Sequence, residues 1–71
     1  MEKPIIFTLI APIFNEIENL PILYERIKNV MDQTGDTWEL ILVDDGSSDG
    51  SSDFIRELAG KDERIRPVIF A

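Results

Sequence analysis

The 71-residue chain contains neither cysteine nor histidine. It therefore has no disulfide framework and no thiolate metal site, and no imidazole is at hand as a base or a ligand, a composition compatible with a reducing compartment. Basic residues are scarce. Seven Lys and Arg against fourteen Asp and Glu leave a formal net charge of −7. No basic patch follows a phosphate backbone, which argues against nucleic acid as a partner, and scattered carboxylates by themselves describe a solvated surface. A long apolar run is missing too. The stretch 5–14 is about half the ~20 residues that a spanning helix needs. It is interrupted by Pro12 and runs into Asn15-Glu16 in place of a small-residue cleavage site, so it reads as strand and loop, not as a signal peptide.

Size sets the next bound. Burial at roughly 25 cal/mol per Å² against about 1.5 kcal/mol of ordering cost per residue comes out near zero for a chain this short. Residues 1–71 are accordingly expected to be a single incomplete domain, finished by further chain or by a partner.

Hydrophobic patterning divides the chain into five elements. The β-branched and aromatic stretch 5–10 reads as a first strand, entered after Pro4 and left at Pro12, and apolar enough for a central position. Leu20, Leu23, Tyr24, Ile27, Val30 and Met31 then fall on one helical face. This helix starts between Glu16 and Pro21, capped either by Asn15 with Glu18 as a capping box or by Asn19, and Gly35 closes it. The stretch 38–43 is a second strand, whose four consecutive aliphatics suit cover on both faces. Ser48 or Asp49 caps a second helix with Phe54, Ile55 and Leu58 inward, Gly60 as its stop, and Asp49, Asp53 and Lys61 complementing its dipole. The stretch 66–70 is a third strand, on which the chain ends while still apolar. The sum is an α/β fold, β-α-β-α-β, with right-handed crossovers and a parallel sheet in the order 3-2-1. The outer side of the first strand is left as an apolar edge that invites self-association.

The chemistry gathers at the strand ends. Leu40-Ile41-Leu42-Val43-Asp44-Asp45-Gly46-Ser47-Ser48-Asp49-Gly50 is an aliphatic run that breaks into paired carboxylates where open α/β sheets bind ligands. The first strand-to-helix loop, 11–16, has no glycine and carries Glu16. A G-x-G-x-x-G fingerprint and a Walker lysine are both missing, against a dinucleotide site of the usual kind. Glu16, Asp44 and Asp45 are expected in one crevice, where naked phosphate would be repelled by several kcal/mol at an effective dielectric of about 20. Such acids face base N–H groups, ribose hydroxyls or a hard cation such as Mg²⁺, while Pro12 and Phe14 offer flat apolar surface to a base. Taken one at a time, Glu16 also suits a helix-start charge, Ser47, Ser48 and Asp49 suit caps, and Tyr24 and Trp38 belong to the core. An EF-hand reading of the loop from Asp45 fails, because its twelfth position is Arg56.

Pro12-x-Phe14-Asn15-Glu16 with Glu18-Asn19-Leu20-Pro21, followed by the 40–50 run, resembles the opening of family 2 glycosyltransferases, nearest to the branch typified by dolichol-phosphate mannosyltransferase that charges polyprenyl phosphates. The resemblance covers essentially the whole chain. It implies a Rossmann-like GT-A fold whose N-terminal half binds a UDP- or GDP-linked sugar, with Mg²⁺ or Mn²⁺ on the diphosphate. It further implies inversion by direct displacement, a lipid-phosphate acceptor, and a place in cell-wall or membrane glycan assembly at the cytoplasmic face of a membrane. Residue by residue, Pro12, Phe14 and Glu16 match first-loop contacts to base and ribose. Val43 and Asp45 match second-strand contacts to the base, with Asp44 as their neighbour. Phe14 stands where a Tyr is frequent, which removes a hydroxyl and keeps the ring. The family's D-x-D metal motif, catalytic base and acceptor residues belong to later strands, so no catalytic or metal-ligating residue is expected within 1–71. The chain alone is expected to bind nucleotide weakly, if at all, and not to transfer sugar. Two other readings stand beside it: a receiver-like Mg-binding signalling domain, whose acids would end the first strand and not the second, and an inactive folded fragment that only oligomerises.

Overall fold

A computed structural model describes residues 4–70. The elements follow as β1 (Phe7–Ile13), α1 (Leu20–Asp32), β2 (Trp38–Asp45), α2 (Ser51–Lys61) and β3 (Ile65–Phe70). All strand pairing is parallel, in the order β1-β2-β3, so β2 lies in the middle as the two crossovers require. This is the α/β half-sheet that the patterning predicts.

Crossovers of one hand running in one direction put both helices on the same side of the sheet. Trp38, Leu40, Leu42 and Asp44 on that side are buried, whereas Ile41 and Val43 are only half-buried. The expected cover on both faces of β2 is thus corrected to cover on one. Leu20 and Met31 from α1, Ile55 from α2, Ile13 from β1 and Ile65 from β3 close over the β2 residues as a single core. The other face stays open, with Ile10 67% and Phe70 54% exposed. At its amino end, Glu39 accepts from the Thr8 hydroxyl (3.0 Å) and pairs with Arg66 (2.8 Å), giving that face a polar border.

Several boundaries differ from expectation for local reasons. Pro12 does not end the first strand; it lies within β1, in register with Val43, because β1 is paired on one side only among the described residues and a missing N–H is tolerated there. Pro67 likewise lies within β3, in register with Leu42 and paired on one side only among the described residues. Among the described residues β1 is an edge of the sheet, as the order 3-2-1 requires. Helix α1 begins at Leu20 with Asn19 as N-cap and Pro21 in the first turn, and the Asn15–Glu18 box does not form. Gly60 does not stop α2, which runs on to Lys61 and ends where Asp62 becomes extended (φ −129°). The N-cap of α2 is Gly50, in the left-handed region at φ 98°, and neither Ser48 nor Asp49 holds that position.

The amino end of the sheet is held by a polar cluster. Arg64 forks onto Asp62 through Nε (2.9 Å) and Nη2 (2.9 Å), reaches Asp32 through Nη1 (2.8 Å), and lies 4.2 Å over the Trp38 ring. Trp38 donates its indole N–H to Asp32 (3.1 Å), and the Tyr24 hydroxyl donates to Asp62 (2.6 Å). The end of α1, the start of β2 and the approach to β3 are thereby joined. Burial, aided by the Asp62 carboxylate, pushes the Tyr24 phenol up to about 12. The Arg64 fork holds Asp62 well below the usual carboxylate range.

Tyr24 is the single tyrosine, so an ultraviolet titration reads it alone. Its phenol is expected to ionise at about 12 in the folded chain, and Asp62→Asn should bring that midpoint down. A folded-state value at the ordinary level of about 10 contradicts the contact. The raised phenol stabilises fully below its unfolded value and loses this as pH rises through the folded one. Asp62, being depressed, contributes above the ordinary carboxylate value and loses its contribution on acidification.

Candidate nucleotide-binding rim

Parallel pairing in register Ile13↔Asp44 brings β1 and β2 to an end at the same rim. Their two following loops are bonded to each other. The Asn15 N–H donates to Ser47 Oγ (2.9 Å), the Glu16 N–H to Ser51 Oγ (3.1 Å) and the Ile17 N–H to Asp49 Oδ2 (3.1 Å). In return the Ser48 N–H donates to Asn15 Oδ1 (2.8 Å). Asn15 adopts φ 49°, in the left-handed region that asparagine enters more readily than most residues. Successive N–H groups around such a residue form a concavity suited to an anion. Here side-chain oxygens of the second loop already accept from the N–H groups of Asn15, Glu16 and Ile17, so these three donors are not free to cradle a phosphate.

Strand alternation splits the paired carboxylates. Asp44 points to the helices and is 0% exposed. It accepts from the Ser47 N–H (3.0 Å) and from the Ser52 hydroxyl. Burial pushes its carboxyl up, but the bonds from Ser47 and Ser52 outweigh this and hold it below the ordinary value. Asp45 emerges on the open face and is exposed. Val43 lies on that same face in register with Pro12 and Val68, and Asp45 is in register with Phe70. The Asp45 carboxylate therefore ends a shelf of proline, aliphatic and aromatic side chains. Phe14, 57% exposed, follows β1 directly. Glu16 is exposed and accepts from Asn19 Nδ2 (3.3 Å), a local bond at the helix approach.

The expected residues thus fall into two groups. Pro12, Phe14, Glu16, Val43 and Asp45 have accessible surface at this rim, whereas Asp44 is turned into its support. The sequence reading missed the cross-loop bonds of Asn15, Ser47, Asp49 and Ser51; the available signal was a loop dense in short hydrogen-bonding side chains, read there as helix caps. A hollow of about 360 Å³ lies between the loops, lined by Asn15, Glu16, Glu18, Asn19, Ser48 and Asp49. A larger one of about 770 Å³ opens at the amino end of the sheet, where Asp32 and Arg64 neutralise each other. Among the described residues no group of three or more His, Cys, Asp or Glu side chains could hold a metal ion, and Asp44 and Asp45 diverge. These residues do not fit the divalent ion that the resemblance implies.

A parallel half-sheet with helices on one side and bonded, acid-bearing loops at its carboxyl rim defines a Rossmann-like α/β unit, the N-terminal half of a GT-A fold. Residues 8–70 match the family described as Glycosyl transferase family 2, and the chain belongs to that family. It is 46% identical over 57 residues to an undecaprenyl-phosphate 4-deoxy-4-formamido-L-arabinose transferase of Pectobacterium carotovorum, a match covering 80% of this chain and 17% of that protein. A transferase of the same description from Pectobacterium atrosepticum is 42% identical, again over 80% of this chain and 17% of its own length. The uncharacterized glycosyltransferase YkcC of Bacillus subtilis is 37% identical over 100% of this chain and 22% of its own length. The chain therefore spans about one fifth of the curated relatives it matches. Nothing in these matches supports the receiver-like reading.

Asp44→Ala should cost about 1–3 kcal/mol in urea unfolding, because it leaves the Ser47 N–H and the Ser52 hydroxyl without their acceptor. The depressed carboxyl gives this stabilisation above its ordinary value and loses it as pH falls, so wild type and variant should converge in acid. Equal midpoints at neutral pH contradict the support role.

Proposed function

We propose that residues 1–71 form a single incomplete domain, the nucleotide-recognising opening segment of an inverting glycosyltransferase that takes a UDP- or GDP-linked sugar and transfers it to a polyprenyl phosphate. The observation that carries this reading is the rim itself: an exposed carboxylate, Asp45, at the end of an apolar shelf, beside a loop that presents Phe14 and Glu16.

The chemistry follows from the groups available. A carboxylate accepts from the N–H of a uracil or guanine edge, and we assign this to Asp45, with Pro12, Val43 and Phe14 as apolar surface for the ring. Glu16 accepts from ribose hydroxyls. Asp44, enclosed beneath, keeps the turn after Asp45 in place. The diphosphate finds the N–H groups of Asn15, Glu16 and Ile17 already taken and has two exposed carboxylates to avoid, so it leaves the rim in the direction of the sugar. A divalent ion bound there would neutralise diphosphate charge; its ligands are sought outside the described residues. The acceptor assignment is supported by relatives named for undecaprenyl phosphate. No described helix is long and apolar enough to cross a membrane; the lipid acceptor argues for action at a membrane surface, and the cytoplasmic face is what the family resemblance implies.

A second reading concerns the chain on its own. The open face with Ile10 and Phe70 and the apolar edge of β1 favour association of copies. Sedimentation should show a species heavier than a monomer, and a monodisperse, cooperatively melting monomer contradicts it.

Nucleotide recognition is tested by titrating UDP and GDP into the polypeptide extended past residue 71. One of the two should bind, and Asp45→Ala should weaken it roughly tenfold or more, the loss of a hydrogen bond to a charged acceptor. Failure of both to bind, or an unchanged affinity in the variant, contradicts the assignment.

A further inference from the structure

We infer that Asp49 is the positioning residue for Glu16: one carboxylate in the second loop fixes the backbone on both sides of the residue proposed to receive the ribose. The inference rests on that proposed role of Glu16 and adds the means by which it is held.

Asp49 reaches the first loop by two routes. Its Oδ2 accepts directly from the Ile17 N–H (3.1 Å), just after Glu16. Its Oδ1 accepts from both the N–H (3.0 Å) and the hydroxyl (2.6 Å) of Ser51. The Ser51 oxygen so oriented then accepts from the Glu16 N–H itself (3.1 Å). Ser51, the middle of this relay, is 0% exposed, whereas Asp49 and Glu16 at its ends are exposed. The direct bond and the relay together determine where the Glu16 Cα lies relative to β2, and hence relative to Asp45. The Ser51 hydroxyl is also the main reason that the Asp49 carboxyl is held below the usual range, which keeps both oxygens available as acceptors. Loss of one carboxylate oxygen breaks one route. In Asp49→Asn an amide NH₂ must face either the Ile17 N–H or the Ser51 donors, and two donors cannot satisfy each other. Asp49 touches no ligand in this scheme; it acts through Glu16.

Uncoupled positioning has a distinct signature in nucleotide affinity. In the extended polypeptide, Asp49→Asn should weaken binding of the preferred nucleotide, UDP or GDP, by about tenfold, with Ser51→Ala as the partner variant that breaks only the relay. Combined with Glu16→Gln, Asp49→Asn should add less than about twofold, because the group it positions has already lost its charge. Combined with Asp45→Ala, it should keep its full effect. A merely structural residue would weaken binding by the same factor in all backgrounds, in step with lowered thermal stability, and that result overturns the inference. If Asp49→Asn does not fold, the same cycle is run with Ser51→Ala, whose small buried hydroxyl leaves a near-isosteric methyl, and equal effects in every background again overturn it. If Glu16→Gln and Asp45→Ala themselves leave affinity unchanged, the nucleotide reading fails. If those two weaken binding and Asp49→Asn does not, the positioning inference alone fails.

Discussion

Consecutive backbone N–H groups at Asn15, Glu16 and Ile17 have no helix or strand to receive them, and the second loop supplies their acceptors from Ser47, Ser51 and Asp49. These bonds tie one loop to the other across more than thirty residues of sequence, and the one from Glu16 is part-buried, where an unpaired backbone donor would be costly. Everything at the rim follows from them. The left-handed Asn15 aims its N–H and its side chain at the same partner segment, and Asp44 braces that segment from beneath. Glycine-rich loops leave such donors open for phosphate. Here they are spent within the protein, and the exposed groups that remain are acidic and aromatic. That combination suits a nucleoside better than a diphosphate.

The two ends of the sheet are built on different chemistry. At the amino end, charges of opposite sign cancel in the Arg64 cluster and hold α1, β2 and β3 together. At the carboxyl end the charges share one sign and face outward at Glu16 and Asp45. Cancelled charge marks a structural joint, and the uncompensated pair beside an apolar shelf is where the proposed nucleoside would bring donors of its own. In the larger hollow, at the other end of the sheet, Asp32, Arg64 and Trp38 already bond to one another. The open sheet face follows from topology. Two crossovers of one hand cannot cover both sides, so Ile10, Val68 and Phe70 are exposed although they are as apolar as the core.

Much of this was legible in the residues, for identifiable reasons. The aliphatic run ending in Asp44-Asp45 and the helical spacing from Leu20 to Met31 are strong periodic signals, and each settled an element and its order in the sheet. Pro12 misled, since proline ends a strand only where its N–H would be needed, and sequence does not show on which side a strand is paired. Gly60 misled in the same way: glycine permits a helix to stop without compelling it, and the backbone turned at Asp62 instead. Asp44 and Asp45 look alike in sequence, and only the phase of the pleat separates a buried brace from an exposed acceptor. The cross-loop bonds were beyond reach, because a short polar side chain advertises that it will bond to backbone but not to which backbone. Resemblance to family 2 glycosyltransferases located the candidate residues, and membership of that family is established by the match over residues 8–70.

Two loops bonded to each other make one rim. Amide chemical shifts of the isotope-labelled extended polypeptide, followed as UDP or GDP is added, test it most directly. The largest changes are expected on residues 12–17 and 43–51, with the Asp32, Asp62 and Arg64 amides unmoved. Changes centred on the Arg64 cluster, or on only one of the two loops, would contradict it.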